Sequence, residues 1–84
     1  MSDSSNRERL QELLSDILLL DPAEFRFDLR REDVDTWDSL AVVAIATGVE
    51  ETFGYHMSEP EAVSVGSVPD LIAILEARGV SFAA

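Results

Sequence analysis

The sequence has no cysteine, no lysine and a single histidine. Without cysteine there is no disulfide, no thiolate nucleophile and no Cys/His zinc site, so 84 residues must hold together by packing alone. The absence also fits a reducing compartment, and the expectation is a cytoplasmic protein. His56 is the one candidate for a Ser-His-Asp triad, but it follows Gly54-Tyr55 in a turn with no motif around it. It reads as a surface or packing residue. The four glycines are isolated, so no phosphate-cradling loop is present. Positive charge is scarce: six arginines face seventeen acids, for a net charge of −11. Phosphate backbones and anionic lipid surfaces need clustered cations, which excludes nucleic acid and membrane as expected partners. The acidic excess favours solubility or basic partner surfaces. Long apolar runs are missing too. The longest stretch without a charge, Ser39 to Val49, is too short to span a bilayer and contains Gly48. The opening MSDSSNRERL has no apolar signal region. The expectation is one soluble, unexported, monomeric domain over residues 1–84, with its core at about 5–79 and flexible termini.

What is present is helical periodicity. Leu10, Leu13, Leu14, Ile17 and Leu18 recur at helical spacing and predict a first helix over about Ser5 to Leu19. Asp3, Ser4 and Ser5 are candidate caps, and Asp21-Pro22 is the expected stop. A long link follows, roughly Pro22 to Thr36, whose Phe25, Phe27, Leu29 and Val34 are expected to pin it to the core. A second helix is predicted from Ser39 to about Phe53, capped by Asp38 and stopped at Gly54, with Val42, Ile45, Ala46, Val49 and Phe53 on its buried face. Ser58 and Glu61 have capping-box spacing for a short third helix, with Pro60 in its first turn. A last helix begins near Val68, capped by Ser67, buries Leu71, Ile72, Ile74 and Leu75, and stops at Gly79. No strand pattern or repeat appears. The fold class is all-α.

Ser39 is the residue that asks for a function. At the first turn of the second helix its hydroxyl faces solvent beside unpaired backbone N–H groups, where the partial positive charge of a helix start stabilises an attached phosphate. The plain alternative is a helix-start serine with no further role. Asp38 adds negative charge, which works against an anion but suits a basic or magnesium-bearing modifying enzyme.

Asp38-Ser39-Leu40 resembles the Asp-Ser-Leu motif of acyl carrier proteins. "ILLLDPAEF" resembles the end of that family's first helix, "GVEETFG" the close of its second, and "SVGSVPDLIAILEARG" its final helix. The match runs from about Leu10 to Gly79. The resemblance implies a bundle of four helices, three longer and one short. It implies 4′-phosphopantetheine, taken from coenzyme A, on Ser39, with Asp38 and Leu40 flanking the attachment point. It further implies a carrier that is not itself an enzyme but the substrate of a phosphopantetheinyl transferase. Its other partners would be acyl-loading, ketosynthase or acyltransferase-type enzymes.

Thr36-Trp37-Asp38 stands where carriers of nonribosomal peptide synthesis have a Gly-Gly pair, which favours an acyl over an aminoacyl or D-alanyl type. The start at Met1 suggests a free-standing carrier, and the "WDSL" form resembles carriers of polyketide and other specialised pathways. The helix face opposite the core is expected to hold Leu40, Ala44, Thr47, Gly48 and Glu51, with Glu50 beside them, as a partner surface. Family members often have a glutamate where Ala44 stands, so this face is expected to be read by apolar contact and shape more than by charge. Trp37 is either packed beneath the loop or a partner anchor. The rival class is an unmodified acidic helical interaction domain.

Overall fold

The computed structural model describes residues 5–21 and 23–82. Its elements are α1 (Asn6–Leu18), a single 3-10 turn (Arg31–Asp33), α2 (Ser39–Phe53), α3 (Glu59–Ser64) and α4 (Val68–Ala77). Among the described residues there is no strand. One isolated antiparallel bridge, Arg30 to Ser67, ties the long link to the turn before α4. None of these helices is long and apolar enough to cross a membrane.

Side chains at the helix starts take up the N–H groups that the first turn leaves without partners. At α1, Ser5 Oγ accepts from the Glu8 N–H (3.1 Å) and the Glu8 carboxylate accepts from the Ser5 N–H (3.0 Å), a reciprocal capping box. Asp38 caps α2 and Ser67 caps α4. At α3 only half of the expected box forms. Ser58 Oγ accepts from the Glu61 N–H, while the Glu61 carboxylate accepts from the Tyr55 hydroxyl instead. That bond holds the Tyr55 pKa above its ordinary value of 10.0. Asp3 and Ser4, the other cap candidates for α1, lie outside the described residues.

α1 ends where expected, at Leu18 with Leu19 as its C-cap, and Leu19 takes the left-handed region at φ 57°; the proline of the expected Asp21-Pro22 stop lies outside the described residues. The N–H groups of Leu19 and Leu20 both turn back to the Ser15 carbonyl. A side chain in this region costs about 1–2 kcal/mol of steric strain, which glycine escapes. Leu19 is 79% exposed, so little packing offsets the strain. Leu19→Gly is therefore expected to stabilise the fold by about 1 kcal/mol, read as a raised urea midpoint at constant slope. A lowered midpoint would mean that the leucine makes a contact worth more than its strain.

The core is built from one stripe of each helix. Leu10, Leu14 and Leu18 of α1 face Ala41, Val42, Ile45 and Val49 of α2, Ala62 of α3, and Val68, Leu71 and Leu75 of α4. The links contribute as well. Phe25, Leu29, Val34, Trp37, Met57 and Val65 are buried, and the long link behaves as a core element. Phe27, expected among them, is only half-buried. It stands edge-on to Phe25 at 5.0 Å, with the Arg7 guanidinium 4.3 Å from its ring centre. Ile72 and Ile74 are likewise partly buried. The packed chain also continues past Gly79. Phe82 is buried against Phe53, with ring centres 5.8 Å apart, and its carbonyl accepts from Arg7 at 3.1 Å.

Gly48 corrects the expected partner surface. It is buried, not exposed. A Cβ built on it would lie 2.3 Å from Leu13 Cδ1, so the missing side chain lets α1 lie close along α2. Counted from Ser39 at about 100° per residue, Gly48 falls at about 180°, next to buried Ala41 at about 200°. The gain of about 1 kcal/mol that alanine usually brings to a helix interior is expected to be absent for Gly48→Ala, because Leu13 must be displaced. In a Leu13→Ala background the gain should return. A double-mutant cycle by urea denaturation with no coupling between the two sites would remove the close-approach role.

Candidate functional site

The start of α2 is held by three independent ties on the chain before it. Thr36 Oγ1 donates to the Leu18 carbonyl at 2.6 Å, satisfying one of the carbonyls that the end of α1 leaves open. Trp37 is 3% exposed and belongs to the core. The Trp37 N–H donates to the Val34 carbonyl (3.0 Å), and its own carbonyl accepts from Arg31 Nε (3.0 Å). The chain then turns into the helix at Asp38, in extended backbone, whose Oδ1 accepts from the Ala41 N–H at 3.0 Å.

Ser39 is the first residue of α2 and is exposed. Its hydroxyl bonds no other described residue, since Asp38 has taken the capping role. The result is an exposed primary hydroxyl on a helix start tied by hydrogen bonds to the chain before it. Two recesses flank it. One, of about 330 Å³, runs between the end of α1 and the start of α2 and is lined by Ile17, Leu19, Thr36, Asp38, Leu40, Ala41 and Ala44. The other, of about 180 Å³, includes Ser39 itself with Arg31, Val42, Val43, Glu59 and Val63. The exposed large apolar side chains among the described residues, Leu19, Leu40, Val43 and Val63, all line one of these two recesses.

Asp38, Ser39 and Leu40 are thus together at one corner, with Leu40 80% exposed. Ala44 is half-buried at the edge of the larger recess. Thr47 is exposed, its hydroxyl donating to the Val43 carbonyl. Glu50 and Glu51 are exposed near the far end of α2, where His56, itself exposed, lies 3.2 Å from Glu50. Trp37 and Gly48 do not belong to this surface: both are buried, the first as part of the core and the second at the contact with α1. Sequence reasoning missed Val43, Leu19, Val63 and Arg31. Val43 had a signal, because at about 100° per residue it lies only about 40° from Ser39. The other three had none, since their places depend on where separate segments meet.

No family model matches the chain. It is 34% identical over 74 residues to polyketide-8 synthase acyl carrier protein 2 of Streptomyces avermitilis, covering 87% of this chain and 84% of that protein. It is 31% identical over 71 residues to an acyl carrier protein of Solidesulfovibrio magneticus, covering 84% of this chain and 91% of that one. A third, the acyl carrier protein of Clostridium acetobutylicum, is 30% identical over 71 residues, with 84% and 92% covered. These likenesses run along most of both chains and accompany a helical fold that leaves one serine free at the start of its longest helix. The chain belongs to the acyl carrier protein family.

Proposed function

We propose that this chain carries an acyl group as a thioester on a 4′-phosphopantetheine arm attached through Ser39 Oγ. The observation that carries this reading is the free, exposed hydroxyl of Ser39 on a start of α2 fixed by Asp38, Thr36 and Trp37. The residues present suit the group: a reachable hydroxyl, a neighbouring recess and an arginine lining that recess. The arm supplies a thiol, which the sequence itself lacks, and a tether that raises the effective concentration of cargo at each partner's active site. The protein's own contribution is to hold Ser39 out to a phosphopantetheinyl transferase and to present one surface to successive enzymes.

That surface is Leu40, Val43 and Ala44 near Ser39, followed by Thr47, Glu50 and Glu51. Its first part is apolar, which suits recognition by contact and shape. Partners of acyl-loading, ketosynthase and acyltransferase type are proposed. The polyketide synthase carrier among its relatives supports a place in polyketide or other specialised-metabolite biosynthesis. The test is incubation with coenzyme A, magnesium and a broad-specificity phosphopantetheinyl transferase, followed by intact mass and peptide mapping. A single added phosphopantetheine on Ser39 is expected. No addition with several transferases, or addition on another serine, would falsify the reading and leave an unmodified interaction domain.

A further inference from the structure

We propose that Arg31 holds the phosphate of the group attached at Ser39, an inference that rests on the carrier reading above. Arg31 lies eight positions before Ser39 in a link crowded with charge, and nothing in the sequence singles it out. The fold does. Its backbone N–H donates to the Gly66 carbonyl at 2.9 Å, which ties this point of the link to the turn before α4. Its Nε donates to the Trp37 carbonyl at 3.0 Å, which fixes the guanidinium against the chain leading into α2. The side chain is half-buried and lines the recess of about 180 Å³ that also includes Ser39.

The other arginines near carboxylates are already engaged: Arg26 with Asp28 and Arg30 with Glu32. Arg7 is bound to the Phe82 carbonyl, and Arg78 lies over the Tyr55 ring. Arg31 has spent only Nε. Among the described residues its two Nη groups have no hydrogen-bond or ion-pair partner. Glu59 lines the same recess without pairing to it.

Charge favours a cation at this point. A phosphodiester on Ser39 would add an anion beside Asp38 and Glu59 in a chain of net charge −11. Without Arg31 the one charged side chain lining the recess is Glu59, and like charges repel more strongly where water is partly excluded. A guanidinium anchored through Nε still presents its Nη donors in a planar fork that matches phosphate oxygens. The rival role is a purely structural clamp on the Trp37 carbonyl. It would act equally with and without the attached group.

The experiment compares wild type, Arg31→Gln and Arg31→Lys, each in the unmodified form and in the form loaded from coenzyme A. The ³¹P resonance of the phosphodiester is recorded in folded protein and in denaturing urea, and melting temperatures are taken for both forms. In wild type the folded resonance is expected to be displaced from its denatured position and the displacement to shrink with salt. Arg31→Gln should lose the displacement, and with it any gain in melting temperature on loading. Arg31→Lys should keep part of it, since an ammonium still meets phosphate as a point charge although it does not reproduce the Nε bond. Equal displacement in all three, or a loss of melting temperature identical in loaded and unloaded forms, overturns the proposal in favour of the clamp. Should Arg31→Gln not fold, the guanidinium ¹⁵N resonances of Arg31 in wild type decide: movement on loading supports the contact, and none overturns it. Failure of wild type to accept any mass overturns the carrier reading and this inference together. A normal mass addition with an undisplaced phosphorus overturns this inference alone.

Discussion

Ser39→Ala is expected to lose the mass addition completely while leaving the fold intact. The loss is total because the variant lacks the acceptor oxygen, not because a site is weakened. The preserved fold follows from the division of labour at the start of α2. Asp38 supplies the cap, through its bond to the Ala41 N–H, and the Asp38 carbonyl accepts from the Val42 N–H at 3.0 Å. Ser39 contributes no bond to another described residue and buries little, and alanine favours a helical position slightly more than serine. Far-UV circular dichroism and the urea midpoint should therefore match wild type within about 0.5 kcal/mol. Residual modification of the variant would place the acceptor elsewhere. A large loss of stability would show that the hydroxyl is structural. Asp38→Ala is the informative contrast: removing a cap of this kind costs about 1 kcal/mol and acts on stability directly.

Trp37→Ala is expected to be the most destabilising single change near the site, by about 3–5 kcal/mol. The indole is 3% exposed, in a domain too small to distribute the loss. Small domains have about 5–15 kcal/mol in total, so the variant should be partly unfolded under conditions where wild type is native. Trp37→Phe should cost much less. Trp37 Nε1 is buried without a hydrogen-bond partner, and phenylalanine removes that unsatisfied donor while keeping most of the apolar ring. Urea denaturation followed by circular dichroism measures both variants without relying on tryptophan emission. A cost for Trp37→Ala below about 1 kcal/mol would contradict packing in the core and restore the reading of Trp37 as a partner anchor.

The helices themselves were readable because their signals are local. A cap and the N–H it accepts from are three residues apart, as with Ser5 and Glu8, Asp38 and Ala41, or Ser67 and Asp70. An apolar stripe repeats within one or two turns, which is why Leu10, Leu14 and Leu18 were legible as a buried face. Ser39 belongs to the same class: its position at a helix start is a property of neighbours in sequence. What was not legible has a different origin. Leu19 ends α1 in a strained left-handed turn because the Ser15 carbonyl and the Thr36 hydroxyl make that exit workable, and Thr36 comes from another segment.

The amino-acid sequence by itself therefore determined the helices, their caps and the serine that stands free at the start of α2, since each follows from residues within four positions of one another. Only the tertiary structure decided that Gly48 lies under Leu13, that Trp37 is core, and that Arg31 shares a recess with Ser39. Helical periodicity says whether a residue faces inward or outward. It does not say which segment will meet it. The close pass of α1 along α2, and the course of a long link held by Gly66, Trp37 and Leu18, set those meetings by packing and hydrogen bonds between residues far apart in sequence.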